Sequence, residues 1–200
     1  MTKIASVPIS EGESYDFYDD KLVIGEDEIP YKYIEGYGFL LTHRKQGVDF
    51  VPVANSTSFT IFLDLGENGV YKFGDRSFGV SAFRTNKQRA IDQVYSDTVK
   101  CIDSILTPMV LKKMLTTLRE DGEVAVGKLT IQPDTLFNVT SFRTKQLPLQ
   151  RYTSYKFAQG KVSLYESGKA LPFFSTYLST INAPLLPAFL GYLLSISKDK

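Results

Sequence analysis

The sequence predicts an α+β fold of two units, each a curled antiparallel sheet closed by a C-terminal helix, with an extra long helix in the first unit. Three observations carry this reading. The first is an echo: IPYKYIEGYGF at Ile29–Phe39 returns as LPLQRYTSYKF at Leu147–Phe157. Pro30 and Pro148, Ile34 and Tyr152, Tyr37 and Tyr155, and Phe39 and Phe157 fall at matching offsets. The second is a series of alternating apolar runs joined by short polar turns, where parallel strands would need crossovers of about a dozen residues. The third is a switch to helical spacing at two places, before Gly122 and after Asn182.

The elements follow in order. SYDFY, the turn DD and KLVIG read as a hairpin, and the acids of GEDEIP keep a hairpin solvated and discourage edge pairing. YIEGYGFLLTH is a strand that ends in the polar turn HRKQG, followed by VDFVPVA and SFTIFLDLG. Asn68-Gly69, between SFTIFLDLG and VYKFG, is the strongest hairpin signal, because both residues accept the positive φ of a tight turn. SFGVSAF adds a strand. Residues 86–119 then place Ile91, Val94, Tyr95, Thr98, Cys101 or Ile102, and Ile105 on one helical stripe. Thr107-Pro108 reads either as a cap and first turn of a fresh helix or as a bend within one helix. Strands resume with EVAVGKLTI, TLFNV, LQRYTSYKFA, KVSLYE and KALPFFS, and Asn182 caps a last helix over 182–196. The repeat extends to the helices, since Ile105–Leu118 aligns without gaps to Thr180–Leu193 with Thr107 against Asn182. DDKLVI from Asp19 likewise matches PDTLFN from Pro133. The expected division is a first unit over 1–121 and a smaller second unit over 122–200.

Several antiparallel strands followed by one amphipathic helix resemble the pleckstrin-homology (PH)-like superfold. IPYKYI, following a hairpin, is similar to the strand start of many bacterial proteins with PH-like units, and GEVAVGKLTIQPDTLF resembles the linker into a second such unit. The resemblance covers about Ser14 to Ile196 and implies a tandem of curled sheets, each plugged by its helix. It implies little about activity, because folds of this kind carry many functions. A phosphoinositide-binding PH domain has a basic first hairpin, whereas YDFYDDKLVI is acidic and LTIQPDTLFN nearly neutral. The resemblance therefore does not extend to that headgroup site.

Composition bounds the rest. The chain has 200 residues, 43% hydrophobic and 22% charged, which suits a globular protein with a core of its own. One cysteine excludes an internal disulfide, and the N-terminal residues lack the pattern of a secretory signal. The longest apolar run, from Ala183, is shorter than the ~20 residues of a membrane span. A bacterial cytoplasmic protein is the expectation. Net charge is +1 but uneven: residues 1–30 hold eight acids against Lys3 and Lys21. From Ser141 to Ala170, Arg143, Lys145, Arg151, Lys156, Lys161 and Lys169 face one acid, Glu166. The candidate anion- or partner-binding face is Arg143, Lys145, Arg151, Lys156 and Lys161.

Catalytic signals are sparse. His43 sits in the turn-like THRKQG without an evident orienting partner, and Cys101 lies on the apolar stripe of the long helix. With one His and one Cys, no zinc site of the usual ligands forms, and no phosphate-cradling or nucleophile-elbow motif occurs. No catalytic, cofactor-binding or metal-binding residue is assigned, and no enzyme activity is expected. The glycosylation-like triplets at Asn55 and Asn138 read as chance. RYTSYKF interleaves aromatic and basic residues as nucleic-acid binders do, but period two puts Tyr155 and Phe157 together as core, so nucleic acid ranks behind a protein. The expected function is a binding or scaffolding module for a protein partner, of which an inhibitor or immunity-type protein is one form. The alternative is peripheral attachment to anionic membrane lipid through the basic face of the second unit.

Overall fold

The computed structural model describes residues 1–10, 13–48, 51–79 and 85–197. The fold is α+β, with four antiparallel sheets and two helices among the described residues. The first sheet runs β1 (Lys3–Ser10), β2 (Glu13–Tyr18), β3 (Lys21–Ile24) and β4 (Asp27–Pro30), each strand beside the next. A three-stranded sheet follows: β5 (Gly36–Val48), β6 (Val51–Asp64) and β7 (Val70–Gly79). Helix α1 (Asn86–Asp121) leads to a second four-stranded sheet of β8 (Val124–Val126), β9 (Leu129–Ile131), β10 (Thr135–Val139) and β11 (Thr144–Pro148). A second three-stranded sheet of β12 (Tyr152–Ala158), β13 (Lys161–Glu166) and β14 (Phe174–Tyr177) precedes helix α2 (Leu186–Ser197).

Four strands, three strands and a helix thus occur twice, and the joints between the sheets match in detail. Pro30 and Pro148 each end a fourth strand with ψ near the extended value, 131° and 135°. Each is followed by a three-residue 3-10 turn whose first residue, Tyr31 or Leu149, is buried. The Tyr31 N–H donates to the carbonyl of Asp20 at 2.9 Å, and the Leu149 N–H donates to that of Asp134 at 2.7 Å. Proline explains the device: it holds extended backbone, cannot continue the ladder, and so releases the chain into a turn. The echo in the sequence is the signature of this corner.

The residues group into two compact units, Met1–Glu35 with Phe39–Thr107, and Gly36–Gly38 with Pro108–Lys200. In the first, Phe17, Leu22, Ile34, Ile61 and Leu63 are fully buried, and Tyr15 packs edge-on against Phe73 with ring centroids 4.9 Å apart. The first part of α1 covers them with Ile91, Tyr95, Ile102 and Leu106. In the second, Leu129, Ile131, Leu136, Val162, Leu164 and Phe189 form the core. Gly36 and Gly38 belong there because a Cβ at Gly36 would stand 2.5 Å from the Asn182 side chain, and one at Gly38 2.9 Å from the Ser179 carbonyl. The Asn182 N–H donates to the Tyr37 carbonyl at 2.8 Å.

Several expectations are corrected. Of the two readings at Thr107-Pro108 the single helix expected over 86–119 is the one found, so Thr107 is not a cap, and the part of α1 from Pro108 onward groups with the second unit. The alignment of Ile105–Leu118 with Thr180–Leu193 therefore pairs segments of different standing. Its buried residues Thr98, Ile102, Leu106, Val110, Met114 and Leu118 recur every fourth position, a line that drifts by about 40° per step around a 3.6-residue helix. Asn182 makes no side-chain cap bond; it takes a left-handed conformation (φ 64°) before a 3-10 turn, and α2 starts at Leu186. The Asn68-Gly69 turn is a 3-10 turn over Gly66–Asn68 with positive φ at Gly66 and Gly69 rather than at Asn68. EVAVGKLTI is two strands, reversed at Gly127 (φ 60°).

Strands β1 and β11 were not expected. Both are sheet edges, where Pro8 and the polar run TKQ are tolerated because one ladder side is unpaired. The hairpins compared in the sequence, β2–β3 and β9–β10, are consequently the second of each unit. HRKQG continues β5, so His43 lies on a strand rather than in a turn. The last strand begins at Phe174, later than KALPFFS suggests, and the latter part of SFGVSAF lies outside the described residues.

Candidate binding surface

Strand β12 is the edge of its sheet and among the described residues pairs only with β13. Tyr152 is buried, but all six residues from Thr153 to Ala158 are exposed. Cross-strand partners share a face, so Tyr155 lies with Leu164 and Phe157 with Val162. Leu164 and Val162 are completely buried, whereas Tyr155 and Phe157 are each 49% exposed. Their rings meet edge to face with centroids 5.4 Å apart. The aromatic pair is therefore the rim of a core that stops one strand short, and its assignment as core is corrected. The matching residues of β5, Tyr37 at 0% and Phe39 at 5%, are enclosed. Phe39 meets the ring of Tyr95 at 6.5 Å.

The opposite face of β12 carries Ser154, Lys156 and Ala158. Lys156 lies across from Ser163, and Ser163 across from Ser175, with the two serine hydroxyls 2.8 Å apart. Lys161, across from Ala158 and Tyr177, holds its ammonium 4.5 Å from the Tyr177 ring. Of the five basic residues singled out in the sequence, Lys156 and Lys161 thus share one sheet face. Arg151 lies in the 3-10 turn before β12 and is ion-paired with Glu166. Lys145 is on β11 opposite Asn138, and Arg143 closes the turn before it.

Two features of this unit escaped the sequence reading. Lys128 occupies the β8–β9 turn, hidden in what looked like one strand, and its carbonyl accepts the Val139 N–H at 2.8 Å. Phe142, wholly exposed, projects from a turn in which Thr140 and Arg143 bond three times: N–H to carbonyl at 3.0 Å, hydroxyl to carbonyl at 2.6 Å, and N–H to hydroxyl at 3.1 Å. A phenylalanine flanked by Ser141 and Arg143 carries no periodic signal.

The remaining reactive groups are placed as fixtures. His43 has orienting partners after all: Nδ1 lies 3.1 Å from the Thr57 hydroxyl, and Nε2 3.7 Å from Asp92 Oδ1. The order acid–imidazole–hydroxyl has the look of a nucleophile relay, but Thr57 is 1% exposed, so no substrate carbonyl reaches it. The three side chains tie β5, β6 and α1 together. Burial and then Asp97 push the Cys101 thiol up, with Lys100 opposing, which is the reverse of an activated thiolate. Among the described residues no three His, Cys, Asp or Glu side chains converge on a metal position. Asn55 is buried, and the Asn138 amide donates to the Phe173 carbonyl at 2.8 Å, so neither asparagine offers a free amide for a glycan. Among the described residues no helix is long and apolar enough to cross a membrane. No protein-family model matches the chain, and no curated protein matches it either.

Proposed function

We propose that this chain is a non-catalytic binding module of two PH-like units that recognises a protein partner through β12. The observation that carries the reading is the half-exposed Tyr155–Phe157 pair beside the fully buried Val162 and Leu164, at positions where the matching residues of β5, Tyr37 and Phe39, are enclosed. An open strand edge offers unpaired N–H and C=O groups to an added strand, and the aromatic pair offers it an apolar anchor. Aromatic residues of this kind dominate interface energies because they bury much area with few rotors. Lys156, exposed on the other face, favours a partner segment with acidic residues at alternate positions. A partner enzyme silenced by such an insertion would make the chain an inhibitor or immunity-type protein. The reading places it in the bacterial cytoplasm.

Pull-down from native lysate with the wild-type chain and the Tyr155→Ser/Phe157→Ser variant tests this. One stoichiometric protein held by the wild type and lost by the variant, at unchanged melting temperature, is the expected result. Equal retention by the variant, or no stoichiometric protein at all, overturns it.

A further inference from the structure

Beyond the β12 edge, we infer that the first unit carries a binding site for an aliphatic diamine or polyamine cation, built around Tyr15, Asp27 and Asp75. These residues line a cavity of about 530 Å³ that no lysine or arginine borders. Strand register brings its groups to one face of each sheet. Tyr15 of β2 lies across from Ile24 of β3, and Ile24 across from Asp27 of β4. Glu13, two residues before Tyr15, shares that face, because side chains alternate along a strand. From the other sheet, Tyr71, Phe73 and Asp75 alternate along β7 on the side of their buried β6 partners Leu63, Ile61 and Phe59. The Tyr71 hydroxyl donates to Asp27 at 2.6 Å and so joins the two sheets.

Tyr15 marks the cavity as more than a patch of acids. It is 2% exposed, with its ring edge-on to Phe59 and Phe73 at centroid distances of 6.5 and 4.9 Å. Among the described residues its hydroxyl makes no hydrogen bond. Burial, then Asp75, Glu13 and Tyr71, push the phenol up, so the hydroxyl sits among the cavity's own groups and keeps its proton. A buried hydroxyl left without a partner costs free energy that a donor on a guest recovers. The carboxylates are also open. Asp27 accepts the Tyr71 hydroxyl and Asp75 the N–H of Arg76, and among the described residues neither has a cationic partner. Asp16, which borders the cavity from the other face of β2, is already taken by Lys3, Ser6 and Ser14. No three acidic side chains among the described residues converge as metal ligands, so the negative charge is spread along the cavity. Ammonium groups separated by methylenes match that spread, with Ile24 and Phe73 as the apolar wall beside the chain. The volume is within the ordinary range of small-molecule sites.

The test uses the full chain at low salt, with putrescine as the probe and backbone amide resonances as the readout. Tyr15, Asp27 and Asp75 should shift saturably. Affinity should fall about fivefold for Tyr15→Phe, which keeps the ring, and about tenfold or more for Asp27→Asn/Asp75→Asn. The asparagines still accept the Tyr71 and Arg76 bonds, so both variants should keep the wild-type melting temperature. n-Butylamine, the same chain with one charge, should bind about tenfold more weakly than putrescine. Asp19→Asn/Asp20→Asn removes equal charge from the β2–β3 turn outside the cavity and should leave affinity unchanged. The inference is overturned if that control weakens binding as much as the cavity variants do, or if n-butylamine matches putrescine. Displacement of putrescine by an equal concentration of calcium, or no saturable shift at all, overturns it equally. No outcome bears on the β12 surface, which belongs to the other unit.

Discussion

Asp16 gathers three donors in the first unit: the Lys3 ammonium at 2.6 Å, the Ser6 hydroxyl at 2.5 Å and the Ser14 hydroxyl at 2.9 Å. Lys3 and then Ser6 hold its carboxyl below the usual carboxylate range, against a smaller opposing effect of burial. A carboxylate depressed in the folded state stabilises above its unfolded value near 3.9, and that contribution is lost as pH falls through the folded one. Asp16→Asn should therefore lower stability by about 1 kcal/mol at neutral pH. The difference from wild type should close under strong acid, where the wild-type carboxylate is protonated too. Thermal melts across that range check it, and a gap independent of pH would mean that the asparagine acts by shape rather than charge. Residues of this kind were hard to read in the sequence. Asp16 looked like one of eight N-terminal acids because β1, which supplies Lys3 and Ser6, went unrecognised behind Pro8. His43 was misplaced for a related reason, since HRKQG has turn composition yet continues β5.

At the scale of elements, the legible parts were those with local chemistry. Gln159-Gly160, with φ of 52° and 69°, marks the β12–β13 hairpin as its sequence suggests, and the Pro30 and Pro148 corners were visible as an echo. What local chemistry could not decide was Pro108. A proline costs about 3 kcal/mol in an isolated helix, so an interruption and a bend within one helix stood as alternatives. Packing overrides that cost here: Leu106 and Val110 on either side are both buried, while Pro108 itself is exposed. The missing N–H still leaves the turn one bond short. Pro108→Ala should accordingly raise stability by about 1 kcal/mol or more, read as a higher urea midpoint at unchanged slope. A lower midpoint would show that the backbone at this position needs the shape proline imposes.

At the scale of the whole molecule, the two runs of four strands, three strands and a helix set up a comparison that the sequence alone could not make. Tyr37 and Tyr155, or Phe39 and Phe157, are interchangeable in composition and spacing, and period two assigns both pairs to a core. Which pair is enclosed depends on what lies over the sheet, which is tertiary information. In the first unit Tyr95 of α1 meets Phe39. In the second the 12-residue α2 buries Leu186, Phe189, Leu190 and Leu193 and leaves the β12 aromatics at the rim. Equivalent substitutions should therefore have unequal consequences. Phe39→Ala removes a ring at 5% exposure and should cost about 3–5 kcal/mol, through lost transfer energy and the cavity left behind. Phe157→Ala, at 49% exposure, should change stability by less than about 1 kcal/mol, because most of what it loses is contact with water. Chemical denaturation of the two variants side by side measures the difference. A large loss from Phe157→Ala in the isolated chain would mean that β12 is already covered in solution, for instance by a second copy, and that its edge is spoken for. A small loss leaves a solvent-facing aromatic pair that folding does not require, whose contribution then has to be sought in binding.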